Sequence, residues 1–155
     1  MLRALAAADA AAVVDVVVAA GMFTRDEAPF VEQMLSDYEA AMRAEGHVAV
    51  VEAGPEGVTG VAYYQPRTAA DRVWDLTMIA VHPEVQGQGR GSALLSHVEE
   101  DLRDRGQRLL LVDTSGTAQY DRTRDFYVRC GYSLEARVRD YWQDGDDLVV
   151  FAKRL

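Results

Sequence analysis

Val81-His82-Pro83-Glu84-Val85-Gln86-Gly87-Gln88-Gly89-Arg90-Gly91-Ser92 joins an apolar run to an amphipathic one, and its reading decides the fold. Residues 74–81 alternate and then run apolar like a strand, while residues 93–102 carry apolar side chains at helical spacing. The alternate glycines Gly87, Gly89 and Gly91 permit backbone conformations closed to residues with a Cβ. Several N–H groups can then converge on phosphate oxygens, aided by the partial positive charge of a helix N-terminus.

Two familiar phosphate motifs do not fit. A P-loop ends in Gly-Lys-Ser/Thr, whereas this turn closes on Arg90-Gly91-Ser92. A dinucleotide fingerprint begun at Gly87 meets Ser92 in place of its third glycine, and one begun at Gly89 meets Leu94. What fits is Gln-x-x-Gly-x-Gly, carried by Gln86, Gly89 and Gly91 ahead of Ala93-Leu94-Leu95. That pattern resembles the acyl-coenzyme A binding motif of the GNAT superfamily of N-acetyltransferases. The resemblance implies that Gln86, Gly87, Gln88, Gly89, Arg90, Gly91 and Ser92 wrap the pyrophosphate of acetyl-coenzyme A. The plainer alternative is an ordinary structural turn.

The remaining sequence is consistent with one enzyme-sized domain. At 155 residues the chain can bury a single core without disulfides or metals, and no linker or repeat divides it, so residues 1–155 are expected to form one domain. Asp9 and Asp15 interrupt the alanine-rich start, which leaves no apolar stretch long enough to span a bilayer. A formal charge of −9 argues against nucleic acid or an anionic membrane as principal partner and favours a cationic substrate. Cys130 is the only cysteine, which fits a reducing cytoplasm and reads as a buried structural thiol rather than a nucleophile.

Patterning along the chain predicts a strand at 2–5, a helix over 8–20 with Val13, Val14, Val17 and Val18 inward, and a second helix that starts either at Thr24, which has Glu27 at capping-box spacing, or nearer Asp26, as Pro29 favours. In that second helix Phe30, Met34, Tyr38 and Met42 recur every four positions, with Val31 and Leu35 beside them, and Gly46 follows as a C-cap. Residues 48–52 and 58–64 read as a hairpin. After the glycine turn, Leu94, Leu95, Val98 and Leu102 face inward, while Glu99 with Arg103 and Asp101 with Arg105 form outward ion pairs. The apolar run at 108–112 reads as a strand buried on both faces, so strand, helix and strand make a right-handed βαβ unit. A helix over 121–130 and a closing hairpin, 133–141 with 148–153, complete the order β-α-α-β-β-β-α-β-α-β-β. This is the GNAT order, and it implies a single-domain α/β (α+β) fold. Its sheet is mixed, mostly antiparallel and twisted, with splayed central parallel strands flanked by four helices.

The resemblance also assigns chemistry. In the superfamily the pantetheine arm lies where the two parallel strands diverge, which implies that backbone at Met78, Ile79 and Val81 holds it. Asp121 to Tyr132 is similar to the superfamily's Phe-Tyr-x-x-x-Gly-Phe/Tyr segment, which implies that Tyr127 donates a proton to the coenzyme A sulfur. A phenol suits that task, because it is protonated at neutral pH and can still release its proton to a thiolate. Tyr120, Thr123 and Tyr127 share one helix face that can point at cofactor, although Tyr120 stands where the superfamily often has asparagine. A core tyrosine is the alternative for Tyr127.

Asp113, where relatives resembling ribosomal-protein N-terminal acetyltransferases carry an acidic residue, is the first candidate for general base, and Asp75 the second. A solvated carboxylate is the alternative for each. Asp144, Asp146 and Asp147 lack the alternation of an EF-hand, and His47, His82 and His97 lack ligand spacing, so no metal is expected. Tyr141 and Trp142 either pack or line the acceptor pocket. The expected activity is acetyl transfer from acetyl-coenzyme A to a primary amine, with a non-catalytic acyl-coenzyme A sensor as the alternative. The acceptor is not named by these residues, and the superfamily leaves a homodimer open.

Overall fold

The computed structural model describes all of residues 1–155. Strands β1 (Leu2–Ala4), β2 (Val48–Gly54), β3 (Gly57–Pro66), β4 (Val73–Val81), β5 (Leu109–Ser115), β6 (Ser133–Gln143) and β7 (Asp146–Arg154) form one sheet in the order β1-β2-β3-β4-β5-β7-β6. Helices α1 (Ala10–Ala19), α2 (Ala28–Asp37), α3 (Arg90–Asp104) and α4 (Asp121–Arg129) fall between them in the expected order. The β4–β5 pair is parallel, and β1–β2, β2–β3, β5–β7 and β6–β7 are antiparallel. The parallel ladder holds only Val73, Trp74 and Asp75 against Leu109, Leu110 and Leu111. Both strands run on beyond its end, to Val81 and Ser115.

The chain divides into two compact units, Met1–Gln65 with Met78–Glu100 and Pro66–Thr77 with Asp101–Leu155. In the first, α1 and α2 bury Val13, Val14, Val16, Val17, Val31 and Leu35 together with Val51, Val61 and Tyr63 of the sheet. Thr24 and Glu27 form the capping box, with Thr24 N donating to Glu27 Oε1 at 2.9 Å, and Pro29 follows in the first turn of α2. The four-residue stripe does not survive. Phe30 is 64 % exposed, and the buried line is Val31, Leu35 and Tyr38. On a helix of 3.6 residues per turn, Phe30 and Tyr38 stand roughly 80° apart, so they cannot share one narrow seam. A π-helical turn over Tyr38–Met42 then closes the element ahead of Gly46, whose φ of 95° only glycine takes readily.

Gly60 on β3 fits closely beneath α3, because a Cβ there would lie 2.9 Å from Leu94 Cδ1 and 3.4 Å from the Ala80 carbonyl oxygen. Gly60→Val is therefore expected to cost about 1–3 kcal/mol through overpacking. Urea unfolding should show a lower midpoint at unchanged slope. Glu99 departs from its expected outward place and is 5 % exposed, and Asp101 pairs with Arg105 at 3.0 Å.

In the second unit, β5 is not buried on both faces. Leu110 and Val112 are buried, but Leu109 and Leu111 are half-buried beside a cavity of about 580 Å³ that Ser133, Ala152 and Arg154 also line. An apolar run alone could not distinguish those two environments. The closing hairpin is longer than expected, turning at Asp144 and Gly145, and every residue of β6 is exposed.

Candidate functional site

The glycine turn belongs to the first unit. His82 N donates to the Thr59 carbonyl at 2.8 Å, a 3-10 turn covers Pro83–Val85, and Gln86 Nε2 donates to the Val81 carbonyl at 2.8 Å. Gly87 and Gly89 take φ of 72° and 77°, and no atom lies within 4 Å of where a Cβ would stand on either. Ala93 N donates to the Gly89 carbonyl at 3.0 Å, which makes Gly89 the entry to α3. Amides of the first helical turn have no intrahelical acceptor, so this exposed loop presents N–H groups and a positive dipole end to an anion.

Three residues within the turn have local roles. Gly91 lies inside α3 and does not need glycine's left-handed freedom. The Gln86 side chain is spent on Val81, so it shapes the turn rather than reaching outward. Arg90 directs its guanidinium at Glu52 of β2, with Nη1 to Oε1 at 3.2 Å. That pairing offsets the poor placement of a cation at a helix N-terminus. Gln88 and Ser92 are exposed on the same turn.

Ahead of the turn, Met78 and Val81 bury their side chains and Ile79 is half-buried. The Val81 carbonyl is already taken by Gln86.

The second unit holds the titratable candidates. Asp75 receives Arg67 through two bonds, Nε at 3.1 Å and Nη2 at 2.8 Å, so it is held as an ion-pair partner. Asp113 lies two residues beyond Leu111, which is in register with Asp75, so both carboxylates sit on one face of the sheet. Although the Asp113 residue is exposed, its carboxyl is pushed above the ordinary aspartate range. Desolvation is the main cause and the negative charge of Asp75 the second, with Arg67 opposing both. Of the two, Asp113 is the carboxylate left available to accept a proton.

Tyr127 on α4 is 3 % exposed and packs against Phe126, Tyr132 and Phe151 with ring centroids 5.3–5.7 Å apart. Burial drives its phenol well above the usual tyrosine range, and Cys130 adds to the shift. Thr123 is half-buried on the same helix, Tyr120 is half-buried in the 3-10 turn over Ala118–Tyr120 that precedes it, and Cys130, expected inside, is likewise only half-buried at the helix end.

The aspartates of the closing turn have structural work. Asp147 accepts from Arg137 at 2.7 Å and from the backbone N of Asp140 at 3.0 Å, and Asp146 accepts from Ser115 Oγ at 2.5 Å. Tyr141 and Trp142 are 55 % and 48 % exposed and meet edge to face, with Trp142 Nε1 donating to the Thr114 carbonyl at 3.3 Å. Residues the sequence did not mark are Glu52, Arg67 and Arg124. A charged residue on a strand end or a helix reads as solvated until its partner, distant in sequence, is known. The formal charge of −9 lies wholly on the first unit, since the second has equal numbers of acidic and basic residues.

Residues 44–134 match the sequence model of the acetyltransferase (GNAT) domain. A GNAT-family crystal structure from Desulfovibrio desulfuricans aligns over 99 % of this chain and 98 % of its own, with TM-score 0.93 and 35 % identity. A Salmonella typhimurium structure solved with its cofactor acetyl-coenzyme A shares the fold, with TM-score 0.80 and 22 % identity over 100 % of this chain and 93 % of its own. Amino-acid acetyltransferase of Pseudomonas aeruginosa is 35 % identical over 81 residues, 52 % of this chain. This chain spans only 19 % of the length of that curated relative.

Proposed function

The chain belongs to the GNAT acetyltransferase family, and from that premise we propose that it transfers the acetyl group of acetyl-coenzyme A directly to a primary amine. The observation that carries the reading is the open turn at the start of α3, where Gly87 and Gly89 hold left-handed backbone with nothing over them. Such a turn suits a pyrophosphate, bound through main-chain N–H groups rather than through the side chains of Gln86 and Arg90, which are engaged elsewhere. Backbone groups of Met78 and Ile79 would take the pantetheine arm. On this reading residues 1–155 act as one acetyltransferase domain, and the single cysteine favours a cytoplasmic setting.

The chemistry balances without a covalent enzyme intermediate. Asp113 accepts a proton from the substrate ammonium, and its raised affinity for protons makes it a better base than an ordinary aspartate. The neutral amine nitrogen then attacks the thioester carbon, forming a C–N bond and placing charge on oxygen. Collapse breaks the C–S bond, the nitrogen gives up its second proton to solvent to leave the neutral amide, and the thiolate takes the proton of Tyr127, which solvent later returns. Burial disfavours the phenolate, yet the same desolvation disfavours a thiolate beside it, so the two affinities for a proton rise together. The excess negative charge of the chain favours approach of a cationic acceptor.

Two measurements test this. Calorimetry should show coenzyme A binding, and mass spectrometry should detect acetylated product from acetyl-coenzyme A and a pool of n-propylamine, 2-phenylethylamine, spermidine, glycinamide and lysine-bearing peptides. Binding with no product across the pool points to the sensor alternative. No binding overturns both.

A further inference from the structure

We propose that Arg124 is a positioning residue that fixes the strand of Asp113 and the helix of Tyr127 in a single frame. The inference rests on the acid and base roles given above to those two residues. Arg124 lies on α4, three residues before Tyr127, with its side chain 18 % exposed. Its Nη1 donates to the carbonyl of Ser115 at 2.7 Å and to that of Thr117 at 2.8 Å, while Nη2 engages the Asp121 carboxylate. Ser115 is the last residue of β5, two beyond Asp113. One guanidinium therefore ties the end of the base strand to the first turn of the acid helix.

The link has little slack, because its acceptors are themselves held. Ser115 Oγ contacts Asp146 at 2.5 Å and Thr117 Oγ1 at 2.9 Å, and Thr117 N donates back to it at 3.1 Å. Gly116 N donates to the Asp147 carbonyl at 2.9 Å, and a Cβ on Gly116 would sit 3.2 Å from Arg137 Nη1 and 3.4 Å from Val149. Electrostatics alone would not put a cation near the start of a helix, where the dipole end is positive. The rigid fork of arginine, which can serve two carbonyls and a carboxylate at once, explains the choice, and a lysine ammonium on a flexible stem does not reproduce it.

A loop staple important only for stability would make the same contacts, so the test must read turnover through Tyr127. Arg124→Lys is expected to lower kcat by about 10–100-fold, the scale of a small misplacement of reacting groups, at little change in the KM of acetyl-coenzyme A. In a Tyr127→Phe background the same substitution should lower kcat by less than about threefold, because the alignment of acid with base that it sets is already gone. Rates come from thiol titration of released coenzyme A with the amine pool above, and thermal melts of each variant confirm folding. If Arg124→Lys does not fold, Arg124→Gln takes its place in the cycle. Wild-type kcat in the Arg124 variant, or an effect that multiplies in full onto Tyr127→Phe, overturns this proposal alone. Wild-type kcat in Tyr127→Phe overturns the acid assignment beneath it, and the proposal with it.

Discussion

Tyr127→Phe is expected to lower kcat by about 100-fold or more, the usual weight of a positioned general acid, while the affinity for acetyl-coenzyme A stays near that of the native chain. The substitution isolates chemistry unusually well. Phenylalanine keeps the ring that packs on Phe126, Tyr132 and Phe151, and it removes only the hydroxyl. With the ring packing retained, the melting temperature should change little as turnover falls. Joint loss of stability and turnover would mark Tyr127 as a core tyrosine only.

The pH behaviour has a definite sign. Burial holds the Tyr127 phenol well above the ordinary range, so its ionisation contributes no loss of kcat on the alkaline side near neutrality. Stability does respond at high pH. Tyr63, whose hydroxyl lies 2.6 Å from His47 Nδ1, is pushed up to about 12, chiefly by burial and then by Tyr38 and Asp37. A folded-state value above the unfolded one gives stability that is complete below the unfolded tyrosine value of about 10 and is lost as pH rises through the folded value. Tyr127 contributes in the same direction, and urea titrations of Tyr127→Phe should show a weaker loss above that point.

Order and type of elements were legible because they follow from local rules. The capping box of Thr24 and Glu27, the inward line of Leu94, Leu95, Val98 and Leu102, and the turns at Gly46 and Gly106 each depend on neighbours within one or two helical turns. What was not legible depends on partners far along the chain. Arg90 reads as a cofactor ligand until Glu52, 38 residues earlier, is seen to hold it. Asp75 reads as a base until Arg67 occupies it on two atoms. Leu109 and Leu111 read as doubly buried because an apolar run records no information about what covers each face. Arg124 carried no signal at all, since its acceptors are main-chain carbonyls and any residue supplies those. The same holds for the glycine turn, where glycines are visible in sequence but only the structure distinguishes left-handed Gly87 and Gly89 from helical Gly91.

That distinction leads to an ordered series at position 89. Gly89→Val is expected to weaken coenzyme A binding by about 100-fold or more, because a β-branched residue at positive φ costs about 1–3 kcal/mol and relieves it by rotating the peptide away from its bound direction. Nothing lies within 4 Å of a Cβ there, so the cofactor-free protein accommodates the side chain and should lose only modest thermal stability. Two smaller changes separate backbone geometry from bulk. Asparagine is larger than alanine but tolerates the left-handed region several-fold better. If the φ of 77° is what aims the N–H groups, calorimetric affinity for coenzyme A should fall in the order Gly, Asn, Ala, Val. If the turn instead works by leaving room for the phosphates, the order becomes Gly, Ala, with Asn and Val together at the bottom. Gly91→Ala provides the internal reference: inside α3, alanine is the better helix former by about 1 kcal/mol, so stability should hold or rise there. A loss of affinity at Gly91→Ala equal to that at Gly89→Ala would mean that close approach of the ligand, and not left-handed backbone, is what both glycines provide.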